Sequence, residues 1–93
     1  MRYRIEFGEY IDWKSFRHLP KNDKERIQSM IGLKLKTEPT LYGKPLRSPL
    51  FGLWSLRVGD YRVIYRIMKD VVRIEAFGYR STIYADAEKL QNF

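Results

Sequence analysis

The 93-residue chain has no cysteine, a single histidine and no apolar run long enough to span a membrane. Lack of cysteine excludes a disulfide framework and any thiolate metal site. With His18 alone, an acid–base pair of histidines is impossible. Its place near a helix end reads as a surface residue. Gly43, Gly52 and Gly59 are isolated, so there is no Gly-rich phosphate loop. The carboxylates lack metal-ligand spacing, and Ser55 and Ser81 have no base near them in sequence. Metal-assisted hydrolysis, serine-type catalysis and nucleoside triphosphate use are therefore unsupported, and no cofactor is expected. The first residues alternate in character and form no apolar signal core, so a cytoplasmic, non-membrane protein is expected.

What the chain does have is aromatic residues, at 15%, and positive charge. At 44% hydrophobic residues it should fold, and its length fits one domain over residues 1–93. The net charge of +7 suits nucleic acid, a membrane surface or an acidic protein. It is unevenly spread. Residues 1–40 hold nine Lys/Arg against six Asp/Glu, and residues 41–84 hold eight against three. The second half is where an anion should dock.

Arg2, Arg4 and Glu6 alternate with Tyr3, Ile5 and Phe7, which predicts a half-buried strand over 2–7. Tyr10, Trp13, Phe16 and Leu19 then fall at helical spacing and predict a helix over 9–18. Pro20 opens a second helix with its stripe on Ile27, Met30, Ile31 and Leu35. Pro39 ends that helix no later than Glu38. Residues 40–52 read as a loop. Strands over 53–58 and 61–68 flank Gly59-Asp60, and Lys69-Asp70 leads to a third over 71–78. A last helix is expected over 82–90, capped by Ser81 or Thr82. The fold class is α+β. An N-terminal strand and a helical hairpin precede a three-stranded antiparallel meander in the same sheet, with helices on one face and a C-terminal helix.

Two-residue turns set the faces. Trp54 then pairs with Tyr65, Leu56 with Val63, Tyr65 with Ile74 and Val63 with Ala76 on an apolar face. The other face collects Arg57, Arg62, Arg66 and Arg73, with Glu75, Ser55, Leu53, Ile64, Met68 and Phe77. Arg57 opposes Arg62 and Arg66 opposes Arg73, although like charges facing each other destabilise a sheet. One explanation is a solvated face with arginine heads in water. The other is a surface whose repulsion a phosphate or an acidic partner relieves. Lys44 and Arg47 in the preceding loop add to the charge. In "GYRSTIY", Arg80 and Tyr84 lie at the edge of this face. They fit a phosphate with a ribose or base, while Tyr84 fits equally well as a packing residue.

"GKPLRSPLFGLWSLRVGDYRVIYRI" with "GYRSTIY" resembles the RelE/ParE superfamily of bacterial and archaeal toxins over nearly the whole chain. The resemblance implies a ribosome-dependent endoribonuclease, an mRNA interferase that inhibits translation. Cleavage would need no metal and would proceed by attack of a ribose 2′-OH on the adjacent phosphate. Its partners would be the ribosome, mRNA and a cognate, acidic RelB-like antitoxin. By the same resemblance Arg62, Arg80 and Tyr84 are the catalytic candidates, and Arg57 is a basic position on the same face. Arg66, Arg73, Lys44, Arg47 and Phe77 remain as RNA- or phosphate-binding candidates. Leu53 and Ser55 stand where studied relatives carry lysines, and Tyr79 stands where the family block often has histidine. These changes remove candidate bases, and arginine, with a pKa above roughly 12, is a poor substitute. The alternatives are a ParE-like inhibitor of DNA gyrase and a weakened toxin that only binds its antitoxin.

Overall fold

The computed structural model describes residues 2–91. The order is β1 (Arg4–Phe7), α1 (Trp13–Arg17), α2 (Lys21–Met30), α3 (Pro39–Tyr42), β2 (Lys44–Pro45), β3 (Trp54–Val58), β4 (Tyr61–Met68), β5 (Val71–Tyr79) and α4 (Ile83–Gln91). The strands form one sheet in the order β1-β5-β4-β3-β2. Its three central strands are the expected antiparallel meander, and β1 joins the sheet parallel to β5.

The helices begin where local chemistry allows. Helix α1 is shorter than the aromatic spacing predicts, because Asp12 caps it. The Asp12 carboxylate accepts from the Ser15 N–H (3.0 Å) and the Ser15 hydroxyl (2.6 Å). Those bonds to Ser15 hold the Asp12 carboxyl below its ordinary pKa. Pro20 sits at the N-cap of α2. The helix continues through a wider π turn over Ile31–Leu35, which keeps Ile27, Ile31 and Leu35 in line on the buried side. The loop expected over 40–52 instead contains α3 and the two-residue edge strand β2.

Both meander turns have two residues, as the sequence predicts. Val58 pairs with Tyr61 around Gly59-Asp60, and Met68 pairs with Val71 around Lys69-Asp70. Gly59 has φ +60°, which glycine adopts without a Cβ clash. Lys69 takes the same left-handed region at φ 56°. The pairs Trp54–Tyr65, Leu56–Val63 and Tyr65–Ile74 form as expected, and so do the two arginine pairs.

One pairing does not form. Beyond Ile74 the register shifts: Ile64 pairs with Ala76 and Val63 with Phe77, so Glu75 is the extra residue of a β-bulge. Ala76 therefore leaves the apolar face that the alternation assigns to it. Phe77 is moved off the arginine face onto the opposite one. There its ring meets Phe16 (5.1 Å between centroids) and Trp13 (5.8 Å).

The helices also divide differently from the expectation. α1 and α2 cover one face, burying Leu56, Val63, Tyr65, Val72 and Ile74 against Phe16, Ile27, Ile31 and Leu35. The C-terminal helix α4 lies on the other face, where Ile83 and Ala87 pack with Leu50, Leu53, Ile64 and Ala76. The bulge accounts for this arrangement. It supplies small Ala76 under α4 and leaves Phe77 for the helical hairpin. α4 thus borders the arginines instead of lying behind them. No helix among the described residues is long and apolar enough to cross a membrane.

Candidate functional site

Four arginines of β3, β4 and β5 share the face that α4 partly covers, but they form two separate groups. Arg66 and Arg73 stand opposite each other, and Glu75 lies between them. The Arg66 Nε donates to Glu75 Oε2 (3.3 Å), and the Arg73 Nε donates to Glu75 Oε1 (3.1 Å). The bulge thus aims a carboxylate at two cations whose repulsion would otherwise be uncompensated.

Arg57 and Arg62 stand opposite each other at the Gly59-Asp60 end. Four residues along β4 separate Arg62 from Arg66, a distance of about 13 Å. No carboxylate pairs with either residue among the described residues. Arg57 is exposed. Arg62 is half-buried, and its Nη1 donates to the carbonyls of Gly59 (3.0 Å) and Tyr61 (2.9 Å). The turn therefore holds the guanidinium in place while leaving its charge unneutralised. Gly78 is the cross-strand partner of Arg62 on β5, and a Cβ there would meet the Ile83 Cδ1 of α4 at 3.4 Å.

The remaining catalytic candidates lie just past β5 and on α4. The Arg80 N–H donates to the Asp60 carbonyl (2.9 Å), which fastens the end of β5 to the β3–β4 turn. The Arg80 side chain is exposed. Tyr84, in the first turn of α4, packs with the Leu50–Ile64–Ile83 cluster. Its hydroxyl lies 3.2 Å from the Ser55 hydroxyl. Tyr84 thus packs through its ring and presents a polar tip beside Ser55. Ser55 is 7% exposed and Leu53 2%. Both positions without lysine therefore lie under α4 and the loop that precedes β3.

Arg57 and Arg62 accordingly share the Gly59-Asp60 end of the face, to which the Arg80 backbone is tied, and Tyr84 reaches the same face at Ser55, whereas Arg66 and Arg73 are engaged by Glu75. Phe77 lies on the other face and has no part in the group. Arg47 is exposed in the loop after β2. Lys44 occupies β2 opposite Ser55, a strand position that the loop reading of 40–52 conceals.

Tyr79 also turns away. It pairs with Tyr61 and stacks on it, with centroids 4.9 Å apart. The Tyr61 hydroxyl donates to Asp23 Oδ2 (2.8 Å) and lies 3.5 Å from that of Tyr79. That contact with Tyr79, burial and Asp23 together push the Tyr61 phenol well above its ordinary pKa. The tyrosine pair borders a cleft of about 740 Å³, which also touches His18. His18 is exposed, with Nδ1 2.8 Å from the Lys14 carbonyl. Among the described residues, no group of three His, Asp or Glu side chains is placed to hold a metal ion.

A family model described as the ParE toxin of type II toxin-antitoxin system, parDE, matches residues 12–84. The chain is 51% identical to "Toxin RelE" of Mycobacterium tuberculosis over 41 residues, 44% of this chain and 42% of that protein. It is 44% identical to "Toxin RelG" of the same organism over 52 residues, 54% of this chain and 60% of that protein. The matches thus span about half the length of these relatives. The toxin–antitoxin complex RelBE2 from Mycobacterium tuberculosis contains a chain of the same fold. That chain superimposes with a TM-score of 0.77 at 30% identity, covering 86% of this chain and 100% of that one.

Proposed function

Because the chain belongs to the ParE toxin family of type II toxin–antitoxin systems, we propose that it is a toxin that cleaves mRNA on the ribosome and so stops translation. The observation that carries this reading is the Arg57–Arg62 pair at the turn to which the Arg80 backbone is tied, with no carboxylate paired to the arginines among the described residues and the Tyr84 hydroxyl reaching the same face at Ser55. Unneutralised guanidinium groups on a rigid sheet end suit a phosphate that gains charge during reaction.

In the proposed step a ribose 2′-oxygen forms a bond to the adjacent phosphorus while the bond from phosphorus to the 5′-oxygen breaks. Arg62 and Arg80 neutralise the charge on the non-bridging oxygens. Tyr84 orients the nucleotide. The 2′-OH proton passes to water or to a ribosomal group, and water returns a proton to the departing 5′-oxygen. A positioned general base is worth about 100- to 10,000-fold. A chain with Leu53 and Ser55 buried is accordingly a slow nuclease away from the ribosome. The site needs no metal or cofactor, and it acts in the cytoplasm, where ribosomes and mRNA are found.

Its partner is an acidic RelB-like antitoxin. The RelBE2 structure is described as a toxin–antitoxin complex, and the net charge of +7 favours an acidic chain over the arginine end. The buried Leu53 and Ser55 also favour a second reading, in which the protein inhibits DNA gyrase and cuts nothing. The discriminating experiment adds purified protein to a translation reaction and maps mRNA ends. Cleavage in codon register that is lost in Arg62→Ala and Arg80→Ala supports the nuclease. Intact mRNA together with blocked supercoiling supports the gyrase reading instead.

A further inference from the structure

We propose that Lys44 contacts the same phosphate as Arg62 and supplies, from the edge strand β2, the ammonium charge that positions 53 and 55 lack. The assignment deepens the ribonuclease reading and rests on it. Lys44 is paired with Ser55, and Pro45 with Trp54. Paired residues on neighbouring strands project to one face. Trp54 stacks on Tyr65 on the helical-hairpin side, so Lys44 leaves the sheet on the side of Ser55, Arg57 and Arg62. Opposed Cα atoms lie about 5 Å apart, and Arg57 is two residues along β3 from Ser55, about 6.6 Å. The four-carbon stem of Lys44 therefore starts roughly 8 Å from Arg57 and spans the gap between Arg57 and the Tyr84 tip. Lys44 is exposed and has no ion-pair partner among the described residues.

The backbone around Lys44 is fixed on both sides. A side chain at Gly43 would run into the Tyr65 hydroxyl, which donates to the Pro39 carbonyl beneath it. Pro45 fixes φ on the other side. No other lysine is comparably placed by the meander. Lys69 lies at the opposite turn, seven residues along β4 from Arg62 and about 23 Å away. Three adjacent strands thus each carry one cation on this face: Lys44 on β2, Arg57 on β3 and Arg62 on β4, with the Lys44 and Arg62 Cα atoms about 12 Å apart, a gap that two long side chains and a phosphate can bridge. During the step Lys44 keeps its protons and neutralises charge on a non-bridging oxygen, and the 2′-OH proton goes elsewhere.

The experiment measures codon-specific mRNA cleavage on ribosomes with Lys44→Ala, Lys44→Arg and Arg62→Ala. Lys44→Ala should lower kcat about 100-fold with little change in KM. Lys44→Arg, which restores the charge, should recover to within about tenfold of the wild type. The pH profile of Lys44→Ala should keep its shape, since Lys44 gives up no proton. Cleavage by Lys44→Ala within about twofold of wild type, on ribosomes where Arg62→Ala is inactive, would overturn the assignment. If the wild type leaves mRNA intact, the ribonuclease reading falls, and binding of inorganic phosphate decides on Lys44 separately. A shift of its ¹⁵Nζ resonance on phosphate titration, abolished by Arg62→Ala, supports the shared site. An unmoved resonance overturns it.

Discussion

The two arginine pairs of the meander occupy equivalent positions and are stabilised in opposite ways. Arg66 and Arg73 face each other across β4 and β5, and Glu75 binds both. Arg57 and Arg62 face each other across β3 and β4, and only backbone carbonyls receive Arg62. The first pair is neutralised within the protein. The second keeps its charge at the end of the sheet to which the Arg80 backbone is tied. Four arginines on one face are therefore not one basic patch. They comprise a structural bridge and a candidate site about 13 Å apart.

The sharpest way to break this comparison is to remove one arginine from each end. Arg62→Ala should reduce ribosome-dependent cleavage by at least about 100-fold. Arg66→Ala should change it by less than about threefold, because its charge is already engaged. Equal losses in both variants would show that the face acts as one patch. At the other extreme, a fully retained rate in Arg62→Ala would remove the site altogether.

Stability should respond in the opposite order. Glu75→Gln leaves Arg66 and Arg73 facing each other and should cost about 1–2 kcal/mol by urea unfolding. The double variant Glu75→Gln with Arg66→Gln should recover part of that loss by removing the repulsion. A loss that the double variant deepens would mean that the bulge geometry, rather than the charge, is what matters. Arg57→Gln breaks no ion pair and should fall within about 0.5 kcal/mol of wild type.

The smallest effect concerns binding. Millimolar phosphate should raise the wild-type melting temperature slightly. Arg62→Ala should abolish the rise and Arg73→Ala should preserve it. A rise lost equally in both would place the anion between the two ends.

The sequence carries the register of the meander because its turns are short and chemically distinct. Gly59-Asp60 and Lys69-Asp70 are enough to place both arginine pairs. The bulge is not legible. Glu75 fits the alternation on both sides, and no glycine marks it, so alternation puts Ala76 and Phe77 on the wrong faces. β2 is hidden for a different reason. It is two residues long, one of them Pro45, and neither length nor composition distinguishes it from loop. Lys44 consequently reads as loop charge. The side of the sheet on which α4 lies depends on where small Ala76 points, so it inherits the same error. Arg62, Arg80 and Tyr84 stand out by family likeness, and spacing alone leaves Tyr84 as a packing residue.

The parallel pairing of β1 with β5 has a consequence for biosynthesis. Arg4 lies beside Val71, so the first strand to be translated must wait for one nearly seventy residues later. β1 therefore stays undocked while the meander is still being made, and a contact of this sequence separation closes slowly. Pulse-labelled hydrogen exchange during refolding should find the amides of Arg4 and Gly8, which donate to Asp70 and Ile74, protected after those of Val63 and Tyr65. A chain built this way cannot hold its finished sheet while β5 is still inside the ribosome that is making it.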